Sequence, residues 1–340
     1  MKKVLKTVAA GILLSATATM AAAETRLTLS SWLPPTHPIV RDMIVPWTEQ
    51  VKEATEGRVT INVLAKGLGH PKIHYDIARD GLADITYSVH GYTPGRFLMT
   101  KAVEFPFGGD SAEALSVAYW RIHQKYLSKA KEHKDTQLLS VFTHGPGLIH
   151  SSKKQVTTVD DLKGLKLRVG GGVVNNVASS LDAVPLLKPA SKSYELLSHG
   201  VADGTLLPME SIMGFKIQDL VKHTTVVPGG LYNVSFFLVM NRDRFADISK
   251  ADQDAIMRVS GEAFAKMAGQ AWDNADAASL KALKANGNEI SVADDAFIAS
   301  VKERTSTLQG EWIKAAAKKG VDGEAALKEL HEIIGNYAAK

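Results

Sequence analysis

The chain of 340 residues carries 40 Lys and Arg against 36 Asp and Glu and contains no cysteine, which excludes thiolate nucleophiles, thiolate metal sites and iron–sulfur clusters. Three of the basic residues, Lys2, Lys3 and Lys6, precede the apolar run TVAAGILLSATATMAAA; without that segment, 37 basic residues face 36 acidic ones and no basic footprint for nucleic acid remains.

The segment has the layout of a secretory signal peptide, with cleavage expected after Ala23 and the periplasm as destination. It is too short and too interrupted for a membrane anchor. No later run approaches a transmembrane span, so the mature chain is expected to be soluble. About 317 remaining residues exceed the usual size of one hydrophobic core and predict two lobes.

From Thr25, TRLTLSSW alternates as a strand and stops at LPPTHP, a proline-rich loop at the mouth of a sheet. Ile39 to Thr55 reads as an amphipathic helix ending at Gly57, and RVTINVLA as a second strand, giving the strand–helix–strand unit of an α/β layer. DIARDGLADITYSV is echoed by ELLSHGVADGTLLP, with Gly81 matching Gly200 and Asp84 matching Asp203. In each, a glycine ends a helix and a strand follows, as expected of two lobes built on similar plans. Between the echoes lie KAVEFPFGG, a helical region from Ser111 to Glu132 and the strand TQLLSVFTHG. After the second, HTTVVPGGLYNVSFFLVMN holds two apolar strands separated by Pro228, Gly229 and Gly230. Helical runs from Lys250 to Asn286 and from Asp294 to Lys318 complete the chain, with no solenoid period.

GLKLRVGGGVVNNV sets an arginine at a strand end before three glycines, a layout open to two uses. A dinucleotide fingerprint needs Gly-x-Gly-x-x-Gly, but its third slot is Asn175 and no acid stands about 20 residues on. The other use is a carboxylate clamp: a guanidinium binds a carboxylate through two parallel hydrogen bonds, and glycines 170 to 172 permit close approach. His70 and His74 have zinc-helix spacing, but Pro71 places His70 at the helix start and no third ligand is suggested. His144 and His150 flank a strand end, where hydrogen bonding outranks metal binding. No Gly-x-Ser-x-Gly elbow exists, and the acid pairs Asp160–Asp161 and Asp294–Asp295 read as helix starts. An enzyme is the weaker class. Trp32 and Tyr92 sit beside turn residues where aromatics line clefts, whereas Phe236 and Phe237 read first as core.

Taken in order, LSSWLPPTHPIVRDMIVPWTEQVKEATEGRVTINVLAKG, IARDGLADITY, AVEFPF, TVDDLKGLKLRV and LLSHGVADGTLLP resemble the extracytoplasmic solute-binding subunit of tripartite ATP-independent periplasmic (TRAP) transporters, the DctP type. The resemblance covers nearly all of the mature chain. It implies an α/β, two-lobed periplasmic-binding-protein-like fold with crossing strands and a long interlobe helix, enclosing an organic acid when the lobes close. The arginine of that family's KGLKIRV motif, which pairs with the substrate carboxylate, corresponds to Arg168, so the resemblance selects the clamp and implies no cofactor. The expected division is 1–23 leader, 24–146 first lobe, 147–235 second lobe, and 236–340 return strand, spanning helix and bracing helices.

Gly147 and Leu207 stand near the places where sialic-acid and C4-dicarboxylate relatives carry a second arginine and an asparagine. The pocket is therefore expected to be apolar beyond the carboxylate, favouring a monocarboxylate with an apolar or aromatic tail. The expected substrate contacts are Arg168, Trp32, Tyr92, His90, His144, Glu210, Arg96 and Phe236. His144, Tyr92 or Glu210 would read a hydroxyl or keto group, Glu210 would hold the Arg168 rotamer, and Arg96 would either add a second cation or pair with acids structurally. The expected partners are a small carboxylate and the small and large integral membrane subunits of a carrier, served by a monomer; presentation to a sensor kinase, or a periplasmic enzyme acting on a carboxylic acid, are the alternatives.

Overall fold

The structure, a computed structural model, describes residues 24–338, so the leader and its cleavage point lie outside the described residues. Two mixed sheets organise them. The first runs β2 (Val59–Val63), β1 (Thr25–Ser30), β3 (Ile85–Val89), β10 (Ser235–Asn241), β4 (Thr136–Thr143); the second runs β11 (Glu289–Val292), β9 (His223–Val226), β5 (Leu148–Ser151), β8 (Gly204–Leu207), β6 (Lys166–Val169), β7 (Val184–Leu187). In the first sheet β1 pairs in parallel with β2 and β3, and β10 runs antiparallel to β3 and β4. In the second, β6 is parallel to β7 and β8, β9 is parallel to β11, and β5 is antiparallel to β8 and β9.

Short links carry the chain between sheets twice, from β4 to β5 and from β9 to β10. A third passage is the helix Gly261–Ala285, which packs on β4, on the helices Ala112–Lys125 and Met209–Gly214, and ends at β11 of the second sheet. At 1.5 Å rise per residue its 25 residues extend about 37 Å, enough to brace both sheets. All seven residues of β10 are buried, which explains why SFFLVMN is apolar without alternation: a central strand covered on both faces has no solvent side.

The echo has a physical basis. Gly81 (φ +72°) and Gly200 (φ +65°) each end a helix in the left-handed conformation. The aspartate three residues on ties its strand to the neighbouring one: Asp84 Oδ2 accepts from the Thr28 N–H of β1 at 2.7 Å, and Asp203 Oδ2 accepts from the Lys166 N–H of β6 at 3.0 Å.

The helical expectations hold in place but not in continuity. Ile39–Ile44 forms a wider π-type coil before the α-helix Val45–Ala54, because Pro46 lacks the N–H that would bond Asp42. The run from Lys250 breaks at Ser260, where Gly261 takes φ +54° and its backbone lies so close to Trp120 that a Cβ would meet the indole at 2.8 Å. The run from Asp294 divides at Ser306, whose hydroxyl bonds back to the Glu303 carbonyl. The region from Ser111 is an α-helix over Ala112–Lys125 followed by a tighter turn, Leu127–Ala130.

Candidate functional site

Strand ends of the two sheets face each other across the crossing links, and the space between them is the setting of the site. Open α/β sheets bind ligands outside the carboxyl ends of their strands. Here Trp32 follows β1, Val89 ends β3, Arg168 and Gly170 end β6, and Leu207 to Ser211 continue β8. With His144, Tyr232 and Val234 from the links, Phe236 from β10 and Trp272 from the long helix, they surround about 430 Å³ of space not filled by protein atoms, part of it open to solvent.

Arg168 is 2% exposed. Its Nε donates to the Lys188 carbonyl at 2.8 Å and its Nη1 to the Leu206 carbonyl at 3.3 Å, so backbone from the β7 and β8 ends fixes the plane of the fork. Nη2 stands beside Gly170 and Tyr92: a Cβ on Gly170 would lie 3.5 Å from it. Among the described residues no carboxylate pairs with this guanidinium. A buried cation without an anion is costly, so the arrangement is built to receive one.

Trp32, Tyr92, His144 and Phe236, expected from sequence, line the same cavity. The Tyr92 hydroxyl accepts from the Ala190 N–H at 2.9 Å, leaving its own hydrogen free; burial raises its pKa while the Arg168 charge opposes. The Tyr92 ring meets Trp32 edge-on at 5.9 Å. His144 Nδ1 is bonded to the Gly145 carbonyl, which can only accept, so Nδ1 carries the hydrogen and Nε2 is an acceptor. Burial lowers the His144 pKa to about 4, which makes the ring neutral.

Three expected contacts lie elsewhere. His90, next to the cavity-lining Val89, projects to the opposite face of the sheet by strand alternation. There it bonds Ser235 Oγ at 3.1 Å and His133 Nε2 at 2.9 Å, between Phe97 and Phe237. Arg96 takes the structural option: Nη1 donates to Asp76 Oδ1 at 2.8 Å and the guanidinium covers the Tyr75 ring. Glu210 makes no hydrogen bond to Arg168, because its side chain turns toward Ser211, whose hydroxyl donates to Oε2 at 2.9 Å, and toward His37. Burial pushes the Glu210 pKa up to about 7.

Sequence reasoning missed His37, Tyr232 and Trp272, although LPPTHP had been placed at the mouth of a sheet. His37 Nδ1 accepts from the Ile39 N–H at 3.3 Å and the ring packs on Phe215 at 5.0 Å. Burial, assisted by Arg41, lowers its pKa to about 4. Tyr232 explains Gly147: a Cβ at 147 would overlap the Tyr232 ring, so the tyrosine fills the volume that a side chain there would take. Leu207 lines the cavity as an apolar wall. The indole Nε1 of Trp32 and Nε2 of His37 are buried without a hydrogen-bond partner.

The glycine run has its own account. Gly171 packs against Gly91 across the two sheets, and a Cβ on Gly172 would strike the Glu104 carboxylate. Glu104 Oε2 accepts from the Val173 N–H at 2.9 Å at the start of the helix Val173–Ser180, and Oε1 accepts from Ser235. A protein carboxylate thus already occupies the helix N-terminus that a dinucleotide phosphate would need. Among the described residues no group of three His, Asp or Glu is arranged to hold a metal, and no helix is long and apolar enough to cross a membrane.

Comparison with known proteins identifies relatives of the whole fold. The family model for bacterial extracellular solute-binding protein family 7 (DctP) matches residues 29–315. A TRAP periplasmic solute-binding protein from Bordetella bronchiseptica, solved with bound (R)-mandelate and (S)-mandelate, is 48% identical, with a TM-score of 0.90 over 92% of this chain and 99% of that one. A TRAP solute-binding protein from Rhodoferax ferrireducens, in complex with copurified benzoate, is 29% identical, with a TM-score of 0.87 over 93% and 99%. A Comamonas testosteroni protein described as an outer membrane transporter protein, TsaT, is 32% identical over 302 residues, covering 88% of this chain and 89% of that one.

Proposed function

The chain belongs to bacterial extracellular solute-binding protein family 7, the TRAP solute-binding proteins, and from that premise we propose that it captures a small aromatic monocarboxylate on Arg168. TRAP solute-binding proteins bind small organic acids and work with membrane subunits, so the acid would be handed to a carrier made of a small and a large integral subunit. The observation that carries the proposal is the buried guanidinium, held by two backbone carbonyls and facing a cavity walled by Trp32, Tyr92, Phe236 and Trp272. Mandelate and benzoate, present in the two solved relatives, are aromatic monocarboxylates and fit this chemistry.

In this reading a first lobe from residues 24–146 and a second from 147–235, braced by 236–340, close on the ligand. Closure removes the water that would screen the ion pair. The leader, residues 1–23, is removed on export and the mature monomer works in the periplasm. In this reading the acid is released unchanged.

Calorimetric titration of the mature chain with mandelate and benzoate tests the proposal, with mass spectrometry of the recovered acid as the check on turnover. At least one acid should bind the wild type, and Arg168→Ala should lose about 1.5–3 kcal/mol or more, a tenfold to hundredfold weakening. Unchanged affinity in that variant would overturn the clamp.

A further inference from the structure

Behind the ligand cavity, elements of the two sheets meet along a second seam. Tyr92 and Gly170 line the cavity, whereas their chain neighbours Gly91 and Gly171, with Gly172 and Glu104, line a separate hollow on the far side. Gly91 follows β3 of the first sheet and Gly171 follows β6 of the second. A Cβ on Gly91 would lie 2.8 Å from the carbonyl carbon and oxygen of Gly171 and 2.9 Å from the Gly172 nitrogen; a Cβ on Gly171 would lie 2.5 Å from the Gly91 oxygen. A side chain at either position would hold the two backbones apart, so the seam shuts only because both are glycine.

One hydrogen bond between the sheets flanks this contact on each side. Toward the cavity, the Tyr92 hydroxyl accepts from the Ala190 N–H at 2.9 Å. Toward the hollow, Glu104 Oε2 accepts from the Val173 N–H at 2.9 Å. Glu104 is buried, and its other oxygen is held from the first sheet by the Ser235 N–H at 3.2 Å and the Ser235 hydroxyl at 2.6 Å, which His90 Nδ1 bonds in turn. The carboxylate is thus anchored on one sheet while its remaining oxygen meets the first N–H of a helix that follows the other, where the helix dipole favours negative charge.

We infer that Gly91, Gly171 and Glu104 form a closing latch, which sets the affinity for the acid without touching it. The glycine contact is the stop that fixes how near Tyr92 comes to Arg168, and the Glu104–Val173 hydrogen bond holds the stop shut. The inference rests on the proposed closure of two lobes over Arg168 and adds what keeps them closed.

Gly91→Ala is the informative substitution. Gly91 lies outside the left-handed region, so alanine suits its backbone, and the three atoms nearest to the added methyl all belong to the opposite glycine run. The methyl therefore obstructs the closed form alone. The urea midpoint of the unliganded mature chain should be unchanged in this variant, while calorimetric titration with mandelate and benzoate should show binding at least about tenfold weaker than in the wild type. Small-angle X-ray scattering should show the wild type contracting on saturation with acid and the variant contracting less. Glu104→Gln, whose amide cannot accept from Val173 and Ser235 together, should also bind about tenfold more weakly and release the acid faster in stopped-flow tryptophan fluorescence. Unchanged affinity in Gly91→Ala would overturn the latch. So would a loss of affinity matched by an equal loss of unliganded stability, which would make the glycine a packing residue. If Gly91→Ala does not fold, Glu104→Gln decides, and an unchanged dissociation rate in it overturns the latch. Weakened binding in Arg168→Ala with full affinity in Gly91→Ala refutes the latch and leaves the clamp standing; absence of binding by both acids refutes both.

Discussion

Replacing Glu210 by glutamine should tilt the stability–pH profile upward with rising pH relative to the wild type. Burial raises the Glu210 pKa from 4.5 to about 7 and lowers that of His37 from 6.5 to about 4. Between about pH 4.5 and 7 the folded protein keeps a proton on Glu210 that the unfolded chain has released, so this residue's contribution to stability falls as pH rises through that window. His37 acts in the opposite sense: below 6.5 the unfolded chain binds a proton that the folded ring refuses, so its contribution is lost as pH falls toward 4. In the wild type the two slopes oppose each other over the shared range.

In Glu210→Gln the Glu210 slope is removed while the His37 slope and those of the other buried groups stay. At about 1.4 kcal/mol per pKa unit, the stability of the variant relative to the wild type should climb by about 3 kcal/mol between pH 4.5 and 7.5. Asp276, a buried carboxyl that accepts from the Glu210 N–H at 2.6 Å, is pushed up by burial and in part by the Glu210 charge, so the difference reports Glu210 together with that coupling. Urea unfolding followed by circular dichroism across that range, with equal m-values, supplies the numbers. A difference constant with pH would refute the reasoning. A difference that falls with pH would show that the pair is ionised, an imidazolium against a carboxylate, in spite of the burial of both.

Three further outcomes follow from the same geometry. Arg168→Lys should bind aromatic acids about tenfold to a hundredfold more weakly than the wild type in titration calorimetry, because an ammonium cannot hold the Lys188 and Leu206 carbonyls while presenting a fork. Gly147→Ala should displace the Tyr232 ring, costing about 1–3 kcal/mol in unfolding experiments and weakening ligand binding together with it. Asp84→Ala removes the acceptor for the Thr28 N–H and hydroxyl and for Arg244 Nε, and should destabilise the unliganded protein by about 2–3 kcal/mol in the same unfolding assay.

Local chemistry made much of the fold legible. The Gly-x-x-Asp echo could be read because both of its functions, the left-handed helix end and the carboxylate that ties one strand to the next, are set within a few residues. The broken helices were less legible for the opposite reason. Ser260 and Gly261 are weak helix formers within an otherwise helical run, but what ties the break to this place is Trp120, more than a hundred positions earlier in the chain, packed against the backbone of Gly261. Periodicity reports which face of a helix is buried; it does not report that a distant indole requires a glycine.

The site divides along the same line. Arg168 was legible because a strand-terminal arginine followed by glycines has few uses, and Trp32 and Tyr92 because each follows a strand that ends at a turn. Phe236 was ambiguous, since in a fully buried strand both faces are apolar and alternation cannot say that Phe236 looks into the cavity while Phe237 packs beside His90. His37, Tyr232 and Trp272 come from a proline loop, an interstrand link and a helix, and only the crossing of the chain between two sheets brings them together. Glu210 shows the limit most clearly. A carboxylate predicted near an arginine is naturally taken as its partner, yet such a partner would neutralise the guanidinium and compete with any anionic ligand. The structure turns Glu210 toward Ser211 and His37 instead, and that separation leaves Arg168 with an unanswered charge in a largely apolar cavity.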